Sequence, residues 1–347
     1  MNQANAFPWD WLWKILGIGA GLWLLANTWQ LWLLVLSALI LTAAMLPAAR
    51  WGDRLRVPRI ITVCAIYLVV ALVLWLLGWF LVPVLVEQGR QFANELPIIV
   101  GNIKGWLGDL SSLGGEATIP LPTVESLDEN WEKIVPGLIE KTLRATAGVL
   151  GGVLGVLVIL FIAAYALVDA ERISRGLLAL VPADRRPRVA ALAEPVLQRM
   201  GGYVRGQIVA SGCVGIILTA GLWTLEVPYA VLIGGLAAVL NVIPFLGATL
   251  ASIVGVLTAL NLSVSLALWT ALLFWGTNLI EGKFLVPQLV GLATGLHPLA
   301  VMLVILIGAK LGGLVGALVA VPILAGAWEI LRALWIAPMN AVETGEK

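Results

Sequence analysis

The sequence predicts an all-α polytopic integral membrane protein. It should have about six full spans plus two interrupted, re-entrant hairpin-like segments, equivalent to about eight transmembrane elements. Three observations predict this. Apolar residues make up 61% of the chain and charged residues only 12%, against about 25% in soluble domains. Apolar runs of membrane-crossing length recur between charged loops. The block from Val227 to Ala327 carries two apolar segments broken by Gly and Pro, with an unbroken one between them.

The elements follow in order. Trp11 to Ala26 and Leu31 to Leu46 read as two spans joined by Asn27-Thr28-Trp29-Gln30, with Trp residues as interfacial anchors. The apolar run continues well past a signal-peptide core, so it reads as a span. Arg50 to Arg59 holds four arginines and one aspartate, which places that loop, and with it the N-terminus, in the cytoplasm. Ile60 to Val82 is the third span, ending at Pro83. An insertion follows. It opens as an amphipathic helix (Leu85, Phe92, Leu96, Ile99, Ile103, Leu107, Leu110) expected to lie along the outer surface. Ser111 to Asn130 reads as a loop, and a second amphipathic helix starts at Trp131. Gly148 to Val168 is the fourth span, opening with Gly148, Gly151, Gly152 and Gly155 for close helix approach. Asp169 to Arg205 holds seven arginines and four acids, which suits the cytoplasm, and Glu171 can pair with Arg175 at i, i+4. Gln207 to Leu225 is the fifth span and Leu262 to Ile280 the sixth. The tail, Trp328 to Lys347, is then cytoplasmic. The regions are 1–83, 84–147, 148–206, 207–327 and 328–347.

The first interrupted segment breaks at Ile243-Pro244-Phe245-Leu246-Gly247, the second around Gly308 to Gly313. Each arm has only about 14 residues, short for a span of about 20. Freed backbone groups cannot face lipid, so protein or water must meet them. Paired broken segments point to a transporter's substrate site. The segments also echo each other. Pro228-x-Ala230-Val231 matches Pro298-x-Ala300-Val301, and Gly247-Ala248-x-x-Ala251 matches Gly316-Ala317-x-x-Ala320. Entering from opposite faces, two re-entrant hairpins would bring both breaks toward the midplane. Full crossing by each arm is the alternative.

Several residues in this block are pathway candidates. Pro244, Phe245 and Gly247 would form a hairpin tip, or a proline kink in an ordinary span. Lys310, between Gly308 and Gly312-Gly313, must face a cavity or snorkel to an edge. Glu281, beside Asn278 and Lys283, could hold a proton or sodium ion, or serve as an interfacial charge. Asn241 could hydrogen-bond a solute or end a helix. His297 could relay protons, or start a helix with Pro298.

Other classes are excluded by what is missing. Net charge is +1, so no nucleic acid or other acidic polymer is implied as partner. Cys64 and Cys213 lie in apolar runs and His297 stands alone, so no cofactor or metal ligand set assembles. No Walker A pattern occurs. No paired acids or nucleophile–base set suggests an enzyme.

In order along the chain, the sequence carries Tyr165-x-Leu167-x-Asp169, Tyr203-x-x-Gly206-Gln207, Val227-Pro228-Tyr229-Ala230, Ile243-Pro244-Phe245-Leu246-Gly247, Pro287-x-x-x-Gly291, Gly295-Leu296-His297-Pro298 and Ala320-Val321-Pro322. On these it resembles the autoinducer-2 exporter family of bacterial inner-membrane proteins. The resemblance implies an oligomeric, elevator-like secondary transporter for a small polar solute such as autoinducer-2, coupled to a proton or sodium gradient. It also implies, as alternatives, sodium (lithium)/proton antiport; a passive channel or pore is a further reading of the chain. Asn241 departs from the family pattern, in which many relatives carry an acid, and this weighs against cation coupling at that position.

Overall fold

The structure is a computed structural model that describes residues 9–113, 154–244, 246–291 and 297–336. The expected loop, the second amphipathic helix, Gly148, Gly151, Gly152 and Phe245 lie outside the described residues. Among the described residues the regular structure is all helical. Five helical stretches are long and apolar enough to cross a membrane, one of them, Leu299–Trp335, interrupted at Gly312-Gly313. A sixth is added if the pair Leu154–Val168 and Ala170–Ala179, bent by 81°, counts as one span.

Helices α1 (Trp9–Asn27) and α2 (Trp29–Arg54) form the expected first pair, separated only at Thr28. Helix α3 (Arg59–Leu113) is one helix of 55 residues, about 80 Å long at 1.5 Å per residue. The third span was expected to end at Pro83, and the helix itself continues through that residue. Pro83 and Pro97 both sit inside α3, since a proline in mid-helix removes one donor and does not by itself abolish the ladder around it. The expected surface-lying helix is therefore an extension of α3. It makes contacts with the rest of the protein. Gln88 Oε1 accepts from the Leu232 N–H at 2.8 Å. The Phe92 and Tyr229 rings meet edge to face at 5.5 Å, and Asn102 Nδ2 donates to Asn261 Oδ1 at 2.6 Å.

Helix α4 (Leu154–Val168) turns sharply into α5 (Ala170–Ala179). The expected Glu171–Arg175 pair is replaced. The Glu171 carboxylate pairs with Arg59 at 3.2 Å, while Arg175 Nε donates to the Glu171 backbone carbonyl. A partner on another element wins because Arg59, at the start of α3, is more sheltered than Arg175 and loses less by being fixed. Helix α6 (Arg186–Thr224) fuses the expected cytoplasmic helix and fifth span into 39 continuous residues.

Between α6 and the sixth span, α7 (Ala230–Leu240) and α8 (Leu246–Leu260) form an antiparallel hairpin. Helix α9 (Val264–Ile280) is that sixth span, capped by Ser263 Oγ accepting from Leu266 N–H. Within the hairpin, Gly247 lies against the backbone of Asn241 and Ala237, and Gly255 against Ile233. Its apolar faces join α6 and α9 in a core containing Leu218, Leu222, Ile233, Ala237, Ala251 and Phe274.

Helix α10 (Pro298–Leu331) leaves helical geometry at Gly312 (φ −132°, ψ 19°) and Gly313 (φ 56°, ψ −141°). The break is narrower than expected, since Gly308 itself stays helical. The chain folds back there. A Cβ placed on Gly308 would collide with the Gly316 carbonyl oxygen, and one on Gly316 would collide with that of Gly308. In a straight helix these residues stand about 12 Å apart along the axis. The second segment is thus also a helical hairpin. The sequence echo lands on equivalent places, because Gly247 and Gly316 each let a second arm touch the backbone of the first.

Candidate functional site

The break between α7 and α8 frees the Asn241 carbonyl from helical bonding. Gln207 Nε2, from α6, donates to that oxygen at 2.6 Å. The Asn241 side chain is fully buried, and its Nδ2 donates to Glu281 Oε1 at 2.6 Å. Glu281 opens a π-helical stretch, Glu281–Gly291, that continues α9. Three elements therefore converge on one buried polar cluster: α6, the first hairpin tip and the end of the sixth span.

The cluster is not saturated. Asn241 Oδ1 is buried with no hydrogen-bond partner, and so are Tyr203 Oη and Ser211 Oγ. Tyr203, Gln207 and Ser211 follow each other at i, i+4, i+8, so they share one face of α6. Buried polar groups are normally bonded, so orphans in an apolar core mark a place where water, ion or solute is expected.

The second hairpin packs against this cluster but does not bring its tip there. Ile243, from the first break, packs with Tyr203 and with Ile305, Ala317 and Val321, which lie along the arms of the second hairpin. Gly312 instead meets Leu33 and Trp29 at the start of α2. The two tips pass each other because the second hairpin runs alongside α2 and α6, with Gly326 seated on Met200 and Val196. A cavity of about 440 Å³ beside its tip is lined by Trp29, Leu33, Gly155, Ile159, Gly312 and Gly313.

The sequence candidates fall into three groups. Asn241, Glu281 and Gly247 meet at the cluster, with Pro244 half-buried at its edge. Gly308, Gly312 and Gly313 shape the second hairpin. Asn278, Lys310 and His297 stand apart, each exposed on this chain. Glu281 pairs with Asn241 across the fold and not with Asn278, since Asn278 faces outward. His297 Nδ1 accepts from Leu299 N–H at 3.3 Å and starts α10 at Pro298. Tyr203, Gln207 and Ser211 were not singled out as site residues. Their signal was present as polar residues every four positions on an otherwise apolar span.

A model of the AI-2E family of transporters matches residues 12–336. The chain is similar to the Bacillus subtilis (strain 168) protein YrrI, 27% identical over 304 residues, covering 86% of this chain and 85% of YrrI. It is 29% identical over 334 residues to MT0215 of Mycobacterium tuberculosis (strain CDC 1551 / Oshkosh), covering 94% and 89%. It is 25% identical over 340 residues to sll0060 of Synechocystis sp. (strain ATCC 27184 / PCC 6803 / Kazusa), covering 93% and 96%. The names of all three assign them provisionally to transport. With the match running through both hairpins and the α6 polar face, the chain belongs to the AI-2E family of membrane transporters.

Proposed function

We propose that this protein is a secondary active transporter. It moves a small polar, autoinducer-2-like solute across the bacterial inner membrane by elevator-like alternating access. Both termini are cytoplasmic in this reading and the protein works as a homo-oligomer. The observation that carries it is the Asn241–Glu281 hydrogen bond at 2.6 Å, made at a helix break and flanked by the unpartnered Asn241 Oδ1. A broken helix supplies both polar backbone and a ligand-facing amide where an intact span would supply neither. The fold-back of both interrupted segments supports re-entrant hairpins. The first arm of α10, Pro298 to Leu311, would extend about 20 Å, short of a full bilayer core of about 30 Å.

A second reading is sodium (lithium)/proton antiport. It is favoured by one feature, a carboxylate held beside an unsatisfied amide oxygen, since hard oxygens suit both a proton and a small cation. Reconstitution into proteoliposomes tests both. Solute export driven by an ion gradient, lost in Glu281→Gln, supports the carrier. Sodium flux driven by a pH gradient alone, lost in the same variant, supports antiport. Uncoupled conductance in planar bilayers would replace both with a passive pore.

A further inference from the structure

The polar face of α6 does not begin at Tyr203. One turn earlier on the same face is Arg199, so Arg199, Tyr203, Gln207 and Ser211 form a file at every fourth residue, about 18 Å long. At its end, Arg199 Nε lies 2.9 Å from Glu329 Oε2 in the last turn of α10. Both side chains are only 14% exposed. The pair is close without being well served. Arg199 Nη1 is buried with no hydrogen-bond partner, and Glu329 Oε2 meets Arg199 Nε at that distance without the angle of a hydrogen bond. A buried ion pair is favourable only when its remaining donors and acceptors are met, so this one is poorly suited to a purely stabilising role. Beside the pair the second arm of α10 meets α6 backbone-close, Gly326 lying against Met200 and Val196, so the closed contact is well defined.

We propose that Arg199 and Glu329 form a charge-paired gate. It closes the route between the central Gln207–Asn241–Glu281 cluster and the membrane face that carries Arg50 and Arg59. Movement of the second α10 arm off α6 opens it. The proposal rests on the transporter reading. Closed, the pair and the apolar ring of Ile305, Ala317 and Val321 around Tyr203 keep water from the cluster. Open, the Arg199 guanidinium and the Tyr203 hydroxyl become the first polar groups met from that face. Neither charge is left bare in the open state, because the entering water replaces the lost partner.

The test uses the full chain in oriented proteoliposomes, with Cys64→Ala and Cys213→Ala, and Ser211→Cys as reporter. A membrane-impermeant thiol reagent is applied at the Arg50 face. Neutralising both partners (Arg199→Gln with Glu329→Gln) should raise the labelling rate by roughly tenfold or more, as expected when a minor open state becomes the main one. The reversed pair (Arg199→Glu with Glu329→Arg) should restore protection. A protein with the neutral pair that stays folded and labels at the parental rate overturns the gate. Should the neutral pair fail to fold, Arg199→Cys with Glu329→Cys decides. Cross-linking should protect Ser211→Cys and reduction should release it, whereas labelling through the cross-link overturns the proposal. These readouts need no solute, so loss of ion-driven flux in Glu281→Gln bears on the transporter reading alone.

Discussion

Arg205 donates to the Ala43 carbonyl that Pro47 leaves without its helical donor. Pro47 sits inside α2 and has no N–H for the oxygen four residues earlier. Arg205 Nη1, from α6, lies 3.3 Å from that oxygen and 2.9 Å from the oxygen of Ala44. Gly201, one turn before Arg205, lets the α6 backbone approach Ala43 so closely that a Cβ there would collide with the same oxygen. A proline on one helix and an arginine and a glycine on another thus form one joint. It lies about 21 Å along α2 from Trp29, near the middle of that helix.

The joint predicts coupled mutants. Arg205→Ala should destabilise the protein by about 1.5–3 kcal/mol, the range for a hydrogen bond from a charged donor. A Pro47→Ala background restores a backbone N–H that can bond the Ala43 oxygen from within α2. There the same change should cost about 1 kcal/mol less. Thermal unfolding of the four proteins in detergent measures the cycle. Equal costs in both backgrounds would separate the two residues.

The second hairpin predicts a glycine contrast. Gly316→Ala puts a methyl group against the Gly308 carbonyl and should cost roughly 2 kcal/mol or more, because backbone cannot yield as a side chain can. Gly276→Ala, with nothing within 4 Å of its Cβ, should stay within about 0.5 kcal/mol of the parent. Similar melting temperatures for the two variants would refute the fold-back at Gly312-Gly313.

The central cluster predicts a split between folding and transport. Glu281→Gln keeps size and shape and should remain folded while ion-driven flux falls to background. Asn241→Ala removes the donor to Glu281 and should lower flux by roughly tenfold, one hydrogen bond to a charged group being about 1.5–3 kcal/mol. Flux unchanged in Asn241→Ala would remove the first hairpin tip from the route.

The α3 extension predicts a local effect. Gln88 serves as a cap from outside, accepting an N–H of the first α7 turn that no side chain of α7 satisfies. Gln88→Ala should loosen that turn by about 1 kcal/mol. Hydrogen exchange at Leu232 should quicken while exchange at the centre of α6 stays unchanged. Equal protection in parent and variant would show that the cap is idle.

Which residues were legible beforehand follows the range of the force involved. The Ile243–Gly247 break could be read because Pro and Gly act on their own backbone, and Asn241 and Glu281 stood out as polar residues in apolar surroundings. Their pairing could not be read, since they stand 40 positions apart and Asn278 was the nearer amide in sequence. The continuation of α3 through Pro83 was misjudged for the same reason. A proline weakens a helix locally, but contacts made by Gln88, Phe92 and Asn102 far along the chain hold it.

By itself the sequence determined that the chain lives in a bilayer, that it is helical, and that two of its apolar segments are broken. Those properties come from transfer of side chains out of water and from the backbone chemistry of single residues, both of which act without a partner. Only the tertiary structure decided that the two hairpin tips pass each other, that Asn241 meets Glu281, and that Arg199 meets Glu329. In a chain of interchangeable Leu, Val and Ala, apolar attraction does not choose among neighbours. That choice falls to glycine contacts and a few buried polar groups, whose preferences are satisfied only once the helices have assembled.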